Sequence, residues 1–134
     1  MGTPLQLVKS SLSISIAEDD PDQRDVLARF VEILGHRVVC AVEDGHSLLA
    51  AITDQETDLA LVDFDMPLLD GLTAAEELSR TRNIPVILIS GHPDLRHVVW
   101  ENEPVAASIT KPVTLEQLSE TIHAVMEQRS GSTE

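Results

Sequence analysis

Apolar residues fall along the chain in two alternating rhythms. Five short runs read as strands: Ser13-Ile14-Ser15-Ile16-Ala17, residues 36–42, Leu59-Ala60-Leu61-Val62-Asp63, Val86-Ile87-Leu88-Ile89-Ser90 and residues 105–109. The third is apolar almost to its last residue, as expected of a strand covered on both faces, and the fourth likewise ends in a polar residue. Between the runs, apolar positions take helical spacing. Asp20 is a suitable N-cap and Pro21 a suitable first helical residue. Val26, Leu27, Phe30, Val31, Ile33 and Leu34 are expected to line one face of that helix until Gly35 stops it. Helices are also predicted near residues 46–52 and 72–80, with a weak one at 95–101. Thr114-Leu115-Glu116-Gln117 reads as a capping box opening the last helix, whose stripe is Leu115, Leu118, Ile122, Val125 and Met126.

Strictly alternating strands and helices predict an α/β fold, a doubly wound five-stranded parallel sheet with helices on both faces. The fourth helix is expected to be shortened, because His92-Pro93 and Glu103-Pro104 bracket only a weakly amphipathic stretch. With 134 residues, 43% of them hydrophobic, one domain is expected. The expected boundaries are a flexible segment at 1–12, a folded body at 13–128 and a flexible tail at 129–134.

Charge narrows the function. A formal net charge of −14, from 23 acidic and 9 basic residues, opposes direct contact with nucleic acid or an anionic membrane. Gathered at one spot, carboxylates instead form a hard-oxygen site for a cation such as Mg²⁺ or Mn²⁺. The single cysteine, Cys40, lies in an apolar run and has no internal disulfide partner, so a reducing cytoplasmic setting is expected. No stretch approaches the roughly 20 apolar residues of a membrane span.

Polar residues recur where the apolar strands finish: Glu18 and Asp19, then Asp63, Ser90 and Lys111. In a parallel sheet these ends share one edge, where ligands of open α/β sheets bind. Singly, each is an ordinary turn or cap residue. Together they are the minimum kit for phosphoryl transfer to a carboxylate. Asp63 is the candidate nucleophile, and bringing an anionic donor to it requires a cation. Asp19 and Asp63 suit the direct metal ligands, with Glu18 acting through water and the Asp65 backbone carbonyl completing the protein's share. Lys111 offers an ammonium to a phosphoryl oxygen and Ser90 a hydroxyl to another.

With their order and intervals, these residues resemble the receiver domain of two-component response regulators over roughly residues 13–128. Ala17-Glu18-Asp19-Asp20-Pro21 looks like the family's acidic pair, aligned on Glu18 and Asp19 by the interval to Asp63 (63 − 19 = 44). Asp63-Phe64-Asp65-Met66-Pro67 carries the D-x-x-M-P signature, Ser90 matches the switch hydroxyl, and Thr110-Lys111-Pro112 matches the lysine followed by a cis proline. The resemblance implies a flavodoxin-like (βα)5 fold. It further implies phosphorylation of Asp63 by a histidine kinase or histidine phosphotransfer protein, and a conformational switch that controls a downstream protein partner. It implies a monomer or a phosphorylation-dependent dimer, and no catalysis beyond the chain's own phosphorylation and dephosphorylation.

Two departures stand out. Ser108 occupies the position of the family's switch aromatic, and the 91–104 segment is irregular. His92, two residues beyond Ser90, reads first as a solvated loop histidine, with overhang of the phosphoryl site as the alternative, and Trp100 as an anchor for its own loop rather than a partner contact. Two other readings compete: a pseudo-receiver that binds partners without phosphorylation, and a haloacid-dehalogenase-like phosphatase suggested by Asp63-Phe64-Asp65. Against the phosphatase stand Pro67 at that family's fourth motif position and a chain too short for its cap and core.

Overall fold

The computed structural model describes residues 11–54, 56–66, 71–91 and 105–131. Five parallel strands are present: β1 (Ser13–Ala17), β2 (Arg37–Val42), β3 (Leu59–Asp63), β4 (Val86–Ser90) and β5 (Ala107–Thr110). Four helices are described: α1 (Pro21–Ile33), α2 (Gly45–Asp54), α3 (Gly71–Arg82) and α4 (Leu115–Gly131). The strand order is β2-β1-β3-β4-β5, the doubly wound flavodoxin-like order. The expected helix at 95–101, together with His92, Trp100 and Pro67, lies outside the described residues. So does the question of a shortened helix there.

Alternation of side chains across the pleat divides the interior in two. Ile14, Ile16, Leu59, Leu61, Ile87, Ile89 and Ile109 face Leu27 and Val31 of α1 and Leu118, Ile122 and Val125 of α4. Ala60, Val62, Val86 and Leu88 face Leu48 and Ile52 of α2 and Ala74, Ala75 and Leu78 of α3. β3, expected to be covered on both faces, is so covered, and β1 and β4 join it: every residue of the three strands is buried.

Helix ends follow their local chemistry. Asp20 caps α1 by accepting from the amides of Asp22 and Gln23 at 2.9 and 3.2 Å. At the other end Gly35 takes φ 92°, while its amide bonds to Glu32 and that of His36 to Val31. This is a Schellman closure, which a residue without Cβ adopts at little cost. Because the His36 amide closes α1, β2 starts at Arg37, one residue later than the apolar run suggests. The His36 ring, its pKa lowered by burial, accepts from the Leu12 amide through Nδ1 at 3.0 Å. Thr114 caps α4, its hydroxyl accepting from the Gln117 amide at 3.1 Å. That helix continues to Gly131, past the expected boundary at Gln128.

Three expectations need correction. Val26 and Ile33, expected on the buried stripe of α1, are 45% and 65% exposed. At 100° per residue both lie more than about 100° round the axis from the stripe centred on Leu27, Val31 and Leu34. β5 covers Ala107–Thr110 rather than residues 105–109; Val105 is buried in the core but precedes the ladder, whose first register pair joins Ile87 to Ala107. α2 is longer than 46–52 because the buried Asp44 accepts from the Ser47 amide at 2.7 Å and starts the helix at Gly45. Among the described residues, no helix is long and apolar enough to cross a membrane.

The two α1 faces give a direct measurement. Leu27→Ala is expected to cost about 2–5 kcal/mol in urea unfolding by leaving a core cavity. Ile33→Ala should change stability by less than about 0.5 kcal/mol, because the side chain is already in water.

Candidate functional site

The acidic groups come from the carboxyl ends of two central strands. β1 and β3 are neighbours, with Ala17 beside Val62, so the turn after Ala17 and the last residue of β3 meet at one edge. The chain winds from β1 outward to β2 and from β3 outward to β4, which opens a crevice at this switch point. Ligand oxygens of Glu18, Asp19 and Asp63 all lie within 4.8 Å of one another. Asp19 is exposed, whereas Glu18 and Asp63 retain only 1% and 3% of their accessible surface.

Lys111 closes the site from the end of β5. Its Nζ lies 3.4 Å from Glu18 Oε1 and 3.4 Å from Asp63 Oδ1. The Lys111 amide donates to the Ser90 carbonyl at 2.8 Å, which ties this strand end to β4, and the Lys111–Pro112 peptide is cis. Ser90 is buried, one residue beyond the register pair Asp63 and Ile89. The Phe64 amide donates to the Ile89 carbonyl at 2.7 Å, and the Asp65 amide to Asp63 Oδ1 at 3.3 Å. The loop after Asp63 therefore turns back over its own carboxylate. Glu18, Asp19, Asp63 and Lys111 thus meet at one point, with Ser90 and Asp65 placed beside them by strand register and loop.

Two buried carboxylates against one ammonium leave a local excess of negative charge. Burial, with the Asp63 charge adding to it, pushes the Glu18 pKa up from 4.5 to about 7, although its Oε2 accepts from the Asp20 amide. Burial also raises Asp63, opposed by the Lys111 ammonium and the Asp65 amide. For Lys111, burial acts downward, but the Asp63 and Glu18 carboxylates outweigh it and the pKa rises. Among the described residues Glu18 Oε1 is buried without a hydrogen-bond partner; its approach to Lys111 is an ionic contact only. An unsatisfied carboxylate oxygen beside two further carboxylates suits a hard divalent cation or water in its coordination shell.

One site contact escaped the sequence reading. Arg24 Nη1 donates to the Glu18 carbonyl at 2.9 Å, across the first turn of α1. The only signal was a cation six residues beyond Glu18 among acidic neighbours, a spacing with many bland explanations. Ser108, where an aromatic was expected from the resemblance, is half-buried and pairs in register with Leu88.

Comparison with known proteins agrees with the fold. The family model for the response regulator receiver domain matches residues 14–123. The chain is similar to Protein PilH of Pseudomonas aeruginosa, 34% identical over 117 residues that cover 84% of this chain and 96% of PilH. It is also similar to the transcriptional regulatory protein AfsQ1 of Streptomyces coelicolor, 34% identical over 125 residues, covering 91% of this chain and 53% of AfsQ1. Against the sensory/regulatory protein RpfC of Xanthomonas campestris pv. campestris it is 30% identical over 118 residues, covering 84% of this chain and 16% of RpfC. The chain therefore spans nearly all of one relative and about half or less of the others. A receiver domain protein from Clostridium thermocellum superposes with a TM-score of 0.77 at 25% identity, covering 88% of this chain and 96% of its own. A CheY-like receiver domain protein from Methanospirillum hungatei does so with 0.78 at 25% identity, covering 91% and 98%.

The raised Glu18 pKa carries a sign. The folded protein holds this proton more tightly than the unfolded chain, so the stabilisation is complete below about 4.5 and is lost as pH rises through about 7. In chelator, urea stability should therefore fall between pH 5 and 8. Glu18→Gln, which cannot ionise, should flatten that decline.

Proposed function

The chain belongs to the response regulator receiver domain family of two-component signalling, and on that premise we propose that Asp63 is its phosphoacceptor. The carrying observation is the convergence of Glu18, Asp19, Asp63 and Lys111 at one strand edge. The donor is a phosphohistidine on a partner histidine kinase or histidine phosphotransfer protein. An Asp63 carboxylate oxygen attacks the phosphorus, the bond from phosphorus to imidazole nitrogen breaks, and the histidine leaves with its electron pair and takes up a proton. The product is an acyl phosphate on Asp63.

Asp19 and Asp63 would hold Mg²⁺, or Mn²⁺, directly, with the Asp65 carbonyl as a third protein ligand and Glu18 reaching it through water. When bound, the ion supplies positive charge that offsets repulsion between the Asp63 carboxylate and the incoming phosphoryl oxygens. The remaining work belongs to the chain. Lys111, already 3.4 Å from Asp63 Oδ1, opposes the upward push of burial on this carboxyl and can pass its ammonium to a phosphoryl oxygen. Ser90, at the adjacent strand end, supplies a hydroxyl donor to another oxygen.

Phosphorylation replaces the Lys111–Asp63 contact with a larger dianionic group and so biases the β4 and β5 ends toward a second arrangement, which a protein partner reads. With half-buried Ser108 in the aromatic position, that second arrangement does not use an aromatic at this point in β5. The chain acts as a signalling module whose only chemistry is its own phosphorylation and dephosphorylation. The excess of acidic residues fits a protein partner better than nucleic acid or a membrane surface, and unpaired Cys40 fits a cytoplasmic setting.

Intact-mass measurement after incubation with acetyl phosphate and Mg²⁺ tests this reading. A single phosphoryl adduct is expected on the wild type and none on Asp63→Asn. Asp19→Asn should weaken Mg²⁺ binding by roughly tenfold or more, about 1.4 kcal/mol per decade, read by calorimetry. An adduct on Asp63→Asn equal to the wild type would refute the assignment.

A further inference from the structure

Asp19 is the exposed member of the acidic cluster, and among the described residues its carboxylate has no hydrogen-bond donor of its own. Its direction is therefore set by the backbone on either side. That backbone is held at several points. The Glu18 amide donates to the Val42 carbonyl of β2 at 3.0 Å, and the Glu18 carbonyl accepts from Arg24 Nη1 at 2.9 Å. The Asp20 amide donates to Glu18 Oε2 at 3.2 Å, while Asp20 itself caps α1. Arg24 bonds to both ends of the turn: its amide donates to the Asp20 carbonyl at 2.8 Å, and its guanidinium reaches back to Glu18.

We propose that Arg24 is a positioning residue for the metal site, aiming the Asp19 carboxylate by clamping the Glu18–Asp20 turn through the Glu18 carbonyl. The inference rests on the metal reading given under the proposed function. A turn with three consecutive acidic side chains tends to splay under mutual repulsion. A half-buried guanidinium hydrogen-bonded inside the turn opposes this in two ways. It supplies a cation, and it restrains the peptide that precedes Asp19. A restrained ligand loses less freedom when the ion binds, so the clamp appears as affinity for the metal rather than as stability of the fold.

The test is Mg²⁺ binding by calorimetry on the full chain, with metal-free melting and backbone amide exchange as companions. Arg24→Met keeps much of the stem's packing and removes the donors. It should lose about tenfold in Mg²⁺ affinity while melting within a few degrees of the wild type. Arg24→Lys, which retains a charged donor, should recover most of that loss. The Met defect should persist in about 1 M salt, where screening acts over roughly 3 Å and a purely long-range charge effect would fade. Exchange at the Asp19 and Asp20 amides should quicken selectively. If the Met variant does not fold, Arg24→Gln, whose neutral amide is too short to reach the carbonyl, should show the same loss. A folded Met or Gln variant binding Mg²⁺ within twofold of the wild type overturns the clamp and leaves the metal site standing. Failure of the wild type itself to bind Mg²⁺ overturns both.

Discussion

Two carboxylates and one ammonium meet almost out of water at the edge of the sheet, and the balance among them is unequal. Glu18 and Asp63 are nearly inaccessible, and a single Lys111 stands between them. Buried charges are tolerated only when paired, and here one carboxylate has no full share of a partner. The structure answers with a raised Glu18 pKa and an oxygen that no donor among the described residues satisfies. A cation would offset that deficit, which is why the site suits the divalent ion and phosphoryl group of the proposed function.

The scaffold is arranged to hold that unfavourable cluster in place. β1, β3 and β4 are buried along their whole length and packed on both faces, so the residues at their ends have little freedom to relax apart. Backbone bonds bind the strand ends to one another: Lys111 to Ser90, Phe64 to Ile89, Glu18 to Val42. The opposite edge of the sheet carries a different kind of polar group. There Ser15 shares a hydrogen bond with Thr57 at 2.8 Å, Arg37 donates to Ser13, and His36 accepts from Leu12. Those hydrogen bonds link strand starts and neighbouring loops and satisfy buried polar atoms of Ser13, Ser15 and Leu12. Stability chemistry and site chemistry therefore occupy opposite ends of the same strands.

Much of this was legible in the order of residues, for reasons that differ by element. β1, β3 and β4 matched their expected ranges residue for residue; for β3 and β4 the reason is that a strand buried on both faces has no polar face to blur its ends. The edge strands were less clear. β2 yielded His36 to the closure of α1, and Val105 entered the core without entering the ladder, since burial and hydrogen-bond pairing need not begin at the same residue. Val26 and Ile33 were misread because an apolar residue on a helix says nothing about its own azimuth until the stripe's centre is known. Asp44 was overlooked as a cap although Asp44 and Ser47 stand at the spacing a cap requires. The D-x-x-M-P segment, the acidic pair and the Lys-Pro step pointed together to the receiver family, and comparison with known proteins places the chain there.

The sequence by itself determined the chemistry available and the strand ends at which it sits, since periodicity places polar residues after apolar runs wherever the fold goes. Tertiary structure alone decided how that chemistry is tuned. Burial raises Glu18, the position of Lys111 between two carboxylates leaves one oxygen unmet, and Arg24 reaches back from the helix to the turn before it. Each depends on distances between groups far apart or oddly spaced in the chain, and on the loss of water around them. Neither quantity is written in the order of residues, because the dielectric surroundings of a charge exist only once the chain has closed around it.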